Sequence, residues 1–202
     1  RKNNADMMIS LHADSFPNPR ARGSSIYALS VDGATSETAR LLAEKENAAD
    51  LLFGDVSLAV EDEMVKEVLF DLSLTGTIQS SLDIGDEVIK QIGSVNKVHK
   101  KKVQQAGFAV LKAPNIPSVL LEAAFISNPR EEKNLRSSAH QTKVAKAIGR
   151  GVTNYFSRKA PPGTWLSEAA TDYKVRSGDT LGAIADRFNT SVKDLRARNA
   201  LH

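Results

Sequence analysis

"IPSVLLEAAFISNPREE", residues 116–132, decides how this chain is read. Its first half is almost uninterruptedly apolar, the pattern of a strand covered on both faces in an α/β sheet. Its second half is a helix start. Asn128 stands at the cap, Pro129 at the first helical position and Glu131 at the third, where it can reach back to the cap. The helix so opened carries Val144, Ile148, Val152 and Tyr155 at steps of three and four, and is expected to end near Phe156. One carboxylate, Glu122, interrupts the apolar run.

Upstream the same texture recurs. Residues 5–11, "GSSIYALSV" (23–31) and "GFAVL" (107–111) read as three further strands. Ser36 caps a helix to about Phe53. "EDEMVKEVLFDLSL" (61–74) sets Met64, Val65, Val68, Leu69 and Leu72 on one helical face, and "SSLDIGDEVIKQI" (80–92) gives another helix. Strands alternating with helices predict an α/β domain.

A chain of 202 residues has room for one medium domain and a small second module. Its hydrophobic and charged fractions, 41% and 25%, are those of an ordinary soluble protein. No apolar run approaches the ~20 residues of a membrane-spanning helix, so no span is expected. The absence of cysteine excludes thiol catalysis, Cys-based zinc sites and disulfides, and is compatible with an oxidising compartment. A net charge of +3 is too mild to imply nucleic acid. The basic run "KVHKKK" (97–102) reads as a solvated surface or as a contact for an acidic polymer. No aromatics accompany its lysines for base stacking, so nucleic acid is not an expected partner. The opening "RKNNAD" is unlike a signal peptide, and residue 1 is read as internal to a longer protein.

Composition shifts at "RKAPPGTWLSEAATD" (158–172), a linker. The following 30 residues read as a short strand (Tyr173 to Val175), a Ser-Gly-Asp turn, and a helix with Leu181, Ile184, Ala185 and Phe188. A second helix runs from its Ser191 cap to about Arg198. This end reads as cut before a closing strand.

His12, in "ISLHADSF" (9–16), and Glu122 carry the chemistry. Each ends or nearly ends an apolar strand, and ligands of open α/β sheets bind beyond the carboxyl ends of the strands. An unpaired buried carboxylate costs several kcal/mol, so Glu122 needs a metal, a cation, a proton or a water-filled cleft. His12 suits a zinc ligand and Glu122 a general base acting on water. The alternative is a satisfied strand-end histidine and a lysine-paired glutamate.

"ADMMISLHAD", "AGFAVLKAPNIPSVLLEAAFISNPREEKNL" and the helix that follows closely resemble the zinc-dependent N-acetylmuramoyl-L-alanine amidases that split septal peptidoglycan in Gram-negative bacteria. The resemblance covers about residues 1–157. It implies an open mixed sheet flanked by helices, lacking its N-terminal strands, with Zn2+ as cofactor, His12 as a zinc ligand and Glu122 as the catalytic carboxylate. Two earlier ligands of that family, a histidine in a "GHGG"-like loop and a glutamate, have no counterpart here. Residues 173–202 resemble a LysM module, a small α+β glycan binder, here incomplete. Together these imply a periplasmic, monomeric peptidoglycan hydrolase that cleaves between N-acetylmuramic acid and L-alanine during daughter-cell separation. The alternative is a non-catalytic piece that binds peptidoglycan through LysM.

Residues from about 36 to 76 exceed what a minimal enzyme of this type needs. The resemblance implies an autoinhibitory insertion there, released by a LytM-domain-type septal activator. Ala39, Leu42, Glu46, Ala49 and Phe53 fall along one helical stripe, with Glu44 and Lys45 directed elsewhere. Glu46 is therefore expected to reach the zinc, ahead of Glu44 and Glu37. Otherwise it lies at a loosely packed edge or pairs with a basic neighbour. His99 and Lys100 are candidates to touch substrate carboxylates, with a surface role as the alternative. His140 reads as structural or solvent-facing.

Overall fold

The computed structural model describes residues 5–53, 64–113, 115–161, 164, 173–188 and 190–201. Four short strands build one sheet: β1 (Met8–His12), β2 (Ser25–Leu29), β3 (Gln104–Ala106) and β4 (Ser118–Glu122). Their order is β1-β4-β2-β3. β4 runs parallel to β1 and antiparallel to β2, while β2 and β3 are parallel. The fold is therefore an open mixed α/β sheet. Every residue of β2 and β4 is buried, as the near-continuous apolar runs require.

Register positions the site. β4 ends on Glu122, whose Cα partners are His12 on β1 and Ser25 on β2. One sheet edge thus delivers an imidazole, a carboxylate and a hydroxyl side by side.

Helix α1 (Glu37–Phe53) starts where Ser36 accepts a hydrogen bond from the Ala39 N–H at 3.2 Å. Its Ala39, Leu42 and Ala43 pack with Tyr27, Phe108, Leu111 and Leu120. Ala43 extends the buried stripe, whereas Ala49, expected on it, is exposed. Helix α2 (Met64–Ile92) buries Ile84, Val88, Ile89 and Ile92. The two helices expected over 61–74 and 80–92 are thus one, except that residues 61–63 lie outside the described residues. Gly76 between them removes no backbone donor, so the helix tolerates it at a cost of about 1 kcal/mol.

Two further expectations are corrected. "GFAVL" is not a strand: β3 ends at Ala106, and Ala109–Leu111 forms a 3-10 turn. Asn47 on α1 fixes this turn by donating to the Gly107 carbonyl and accepting from the Ala109 N–H, which leaves Phe108 and Leu111 in the core. The helix after Asn128 is two helices, α3 (Pro129–Leu135) and α4 (Ser138–Lys159). Ser137 restarts the chain, its Oγ accepting from the His140 N–H and its carbonyl from the Gln141 N–H. The spaced apolar residues all lie on α4, after the break. The buried face of α4 is Val144, Ala147, Gly151 and Tyr155, with Ile148 and Val152 only part-buried.

Gly151 marks a close crossing of α2 and α4. A Cβ there would lie 2.6 Å from the Val88 Cα, so backbone rather than a side-chain tip would have to move. Gly151→Ala is expected to destabilise the protein by about 1–3 kcal/mol, read by urea denaturation, despite the better helix propensity of alanine.

Contacts divide the chain into two units, Arg1–Tyr155 and Phe156–His202. In the second, α5 (Leu181–Arg187) is capped by Thr180 and α6 (Val192–Arg198) by Ser191. Ile184 and Ala185 are buried, and the Tyr173 ring meets Phe188 at 5.6 Å with the Arg187 guanidinium 5.0 Å above it. The Tyr173 hydroxyl donates to Asp179 Oδ2 at 2.9 Å, closing the turn over Gly178. The strand expected over Tyr173 to Val175 is irregular, since it has no ladder partner among the described residues. Most of residues 158–172, read as a linker, lie outside the described residues. Among those described, no helix is long and apolar enough to cross a membrane.

Candidate active site

His12 ends β1 half-buried, and its two ring nitrogens have different neighbours. Nε2 lies 3.0 Å from the Ser10 hydroxyl, two residues back on the same strand face. Nδ1 lies 3.0 Å from Glu46 Oε2 and 3.8 Å from Asp14 Oδ1. Glu46 comes from α1, and despite its charge it is only 8% exposed. The adjacent Lys45, expected to point elsewhere, reaches Asp14 Oδ2 at 2.8 Å. Glu37 and Glu44 instead both pair with Arg40 on the exposed side of α1.

Glu122 is 1% exposed. Its Oε2 accepts the Asp14 backbone N–H at 3.1 Å. Its Oε1 is buried and has no hydrogen-bond partner among the described residues. Burial above all, with the charges of Asp14 and Glu46, pushes this carboxyl from its ordinary 4.5 up to about 8, against the Asp14 N–H and the Lys45 charge. Asp14 goes the other way. Burial raises it, but the hydrogen bonds with Lys45 and Glu46 and the charges of Lys45 and His12 together hold it below the usual value.

His12, Asp14 and Glu122 each offer a ligand atom, and these atoms lie within 4.8 Å of one another. An imidazole with carboxylates is a donor set zinc accepts, and the buried Glu122 Oε1 lacks a partner among the described residues. The residues therefore fit a metal ion. Asp14 was not singled out in the sequence, although the two-residue step from His12 along extended chain carried the signal.

The walls are tied by groups whose roles the sequence hid. Glu131 does not reach back to its helix cap. Its two oxygens accept the Gly23 N–H at 2.6 Å and the Phe125 N–H at 2.8 Å, joining the chain before β2 to the chain after β4. Asn128 caps α3 and also donates to the carbonyls of Pro19 and Ala21. His99 is exposed, its Nδ1 3.2 Å from the Arg22 carbonyl oxygen and its ring edge-on to Phe125. Lys100 is part-buried, and His140 lines a cleft beside α3.

Fold and donor set define an α/β protein with a candidate metal centre at the carboxyl edge of its sheet. Residues 1–154 match the family described as N-acetylmuramoyl-L-alanine amidase, and residues 173–202 match the LysM domain. The chain belongs to the N-acetylmuramoyl-L-alanine amidase family. It is 46% identical over 155 residues to N-acetylmuramoyl-L-alanine amidase AmiA of Escherichia coli strain K12, covering 77% of this chain and 53% of that one. It is 47% identical over 157 residues to AmiC of Escherichia coli O6:H1, covering 78% and 37%. The chain thus spans about half, or less, of the length of these relatives. Among solved structures it is similar to the CwlD amidase from Clostridioides difficile in complex with the GerS lipoprotein. That likeness has a TM-score of 0.49 at 22% identity and covers 77% of this chain and 56% of that one.

Proposed function

We propose that this chain serves a periplasmic, zinc-dependent amidase that splits the bond between N-acetylmuramic acid and L-alanine during daughter-cell separation. Family membership supports the reaction class, and the buried Glu122 beside His12 is the observation that carries the site. His12 would hold the ion with Asp14 beside it. When bound, zinc would polarise the scissile carbonyl and make water easier to deprotonate. Glu122 takes the proton of the attacking water and delivers it to the leaving amine. Oε1 is the atom for this task, because the Asp14 N–H already engages Oε2. Residues 173–202 would hold the enzyme on the glycan through their LysM-type fold. Residues 1–157 are read as the catalytic part, 158–172 as linker.

The site is also read as locked. Helix α1 brings Glu46 to His12 Nδ1, where it competes with any other partner of that nitrogen, and Lys45 clasps Asp14 beside it. An activator of LytM-domain type that draws α1 away would release both contacts. Glu46→Ala is expected to raise basal release of peptide from purified peptidoglycan on the order of tenfold, the scale of a typical coupling energy. Mass spectrometry of the products should show a new alanine amino terminus and intact muramic acid. Unchanged basal release removes the lock. A glycan-binding protein without catalysis gives no product from any variant.

A further inference from the structure

A cavity of about 690 Å³ lies next to this site. Its wall includes Arg20 and Arg22 from the β1–β2 loop, Lys97 after α2, Arg130 and Glu131 on α3, and His140 on α4. None of its four permanent cations has a carboxylate partner among the described residues. Glu131, the one acid among the described residues of the wall, has both oxygens engaged by the backbone N–H groups of Gly23 and Phe125. Four like charges around one concavity repel each other and focus a positive potential into it. Three of them are arginines, whose planar fork pairs with a carboxylate through two parallel hydrogen bonds.

The cavity is also close to the chemistry. Ala124 forms part of its wall, two residues beyond Glu122. Two residues of chain span at most about 7 Å between Cα atoms. Arg22 stands three residues before Ser25, the register partner of Glu122. A glycan whose lactyl group is amide-linked carries no carboxylate there, so the anionic part of such a substrate is its peptide.

We propose that this cavity is a carboxylate-binding subsite that receives the acidic peptide of the substrate, with Arg20, Arg22, Lys97 and Arg130 as its recognition groups. The identity of the peptide rests on the amidase reading above; the charge recognition does not. The assignment also narrows the basic run: Lys97 faces the peptide, whereas His99 and Lys100 are not in the wall.

The test is a binding measurement that needs no turnover. The chain is titrated by calorimetry with a soluble stem peptide beginning at L-alanine, with its carboxylates either free or amidated. The free peptide should bind at least about tenfold more tightly, and Arg22→Ala and Arg130→Ala should each weaken it by about tenfold, the scale of a charge-assisted hydrogen bond. Both side chains belong to exposed residues, so circular dichroism should stay unchanged. Equal affinity for free and amidated peptide, or unchanged affinity in the double variant, overturns the proposal. So does inorganic phosphate competing as well as the peptide, which would make the cavity a plain anion site. Charge-dependent peptide binding without any hydrolysis product supports the subsite and removes the amidase reading alone. Hydrolysis that ignores peptide charge does the reverse.

Discussion

Glu122→Gln, in zinc-loaded protein, is expected to lose hydrolysis by about 10²- to 10⁴-fold, the usual contribution of a positioned general base. The substitution keeps the volume and the acceptor for the Asp14 N–H, so the site should stay assembled. With Oε1 as the proposed general base, the substitution removes only its capacity to take and return a proton. The loss should appear in kcat with little change in KM, because an interaction made in the transition state has been deleted. Steady-state kinetics on a soluble muramoyl peptide measures this. A variant with near-normal kcat would move the base elsewhere.

The same carboxylate makes metal-free protein sensitive to alkali. Glu122 has its ordinary value, near 4.5, in the unfolded chain and about 8 in the fold. Between those two pH values the unfolded state loses its proton first, so the folded state binds more protons and stability falls as pH rises. Below about 4.5 the contribution is fully present, and above about 8 it is gone. At about 1.4 kcal/mol per pKa unit the loss amounts to several kcal/mol across the window. Asp14 works in the opposite sense, its stabilisation lost as pH falls through the acid range, so it does not cancel the slope. Denaturation of metal-free chain between pH 5 and pH 8 should show the decline, and Glu122→Gln should flatten it. A flat wild-type profile would mean that Glu122 is better solvated or better paired than its 1% exposure indicates.

Much of this was legible because apolar patterning reports burial. β1, β2, β4 and α1 with its Ser36 cap are readable from the sequence, since strand and helix periods differ and cap chemistry is local. What patterning does not report is how a buried residue becomes buried. Phe108 and Leu111 are core in a 3-10 turn rather than in a strand, because Asn47, some sixty residues earlier, fixes the local backbone. Glu131 read as a local cap partner, yet it bridges two loops that only the tertiary fold brings together. At the site, His12, Glu122 and Glu46 stood out as polar groups on apolar faces, and the fold gathers all three. Lys45 and Asp14 did not stand out, because a charged residue beside a turn or on an exposed helix side is the ordinary case.

A metal held by His12 at this sheet edge would have Glu122 and α1 arranged around it. Zinc content of the purified chain after dialysis against low-micromolar zinc, by elemental analysis, tests it most directly. About one zinc per chain is expected, lost in His12→Ala and retained in His99→Ala, since His12 and not His99 belongs to the group of possible ligands. Zinc that survives His12→Ala, or a wild-type chain that binds none, would contradict it.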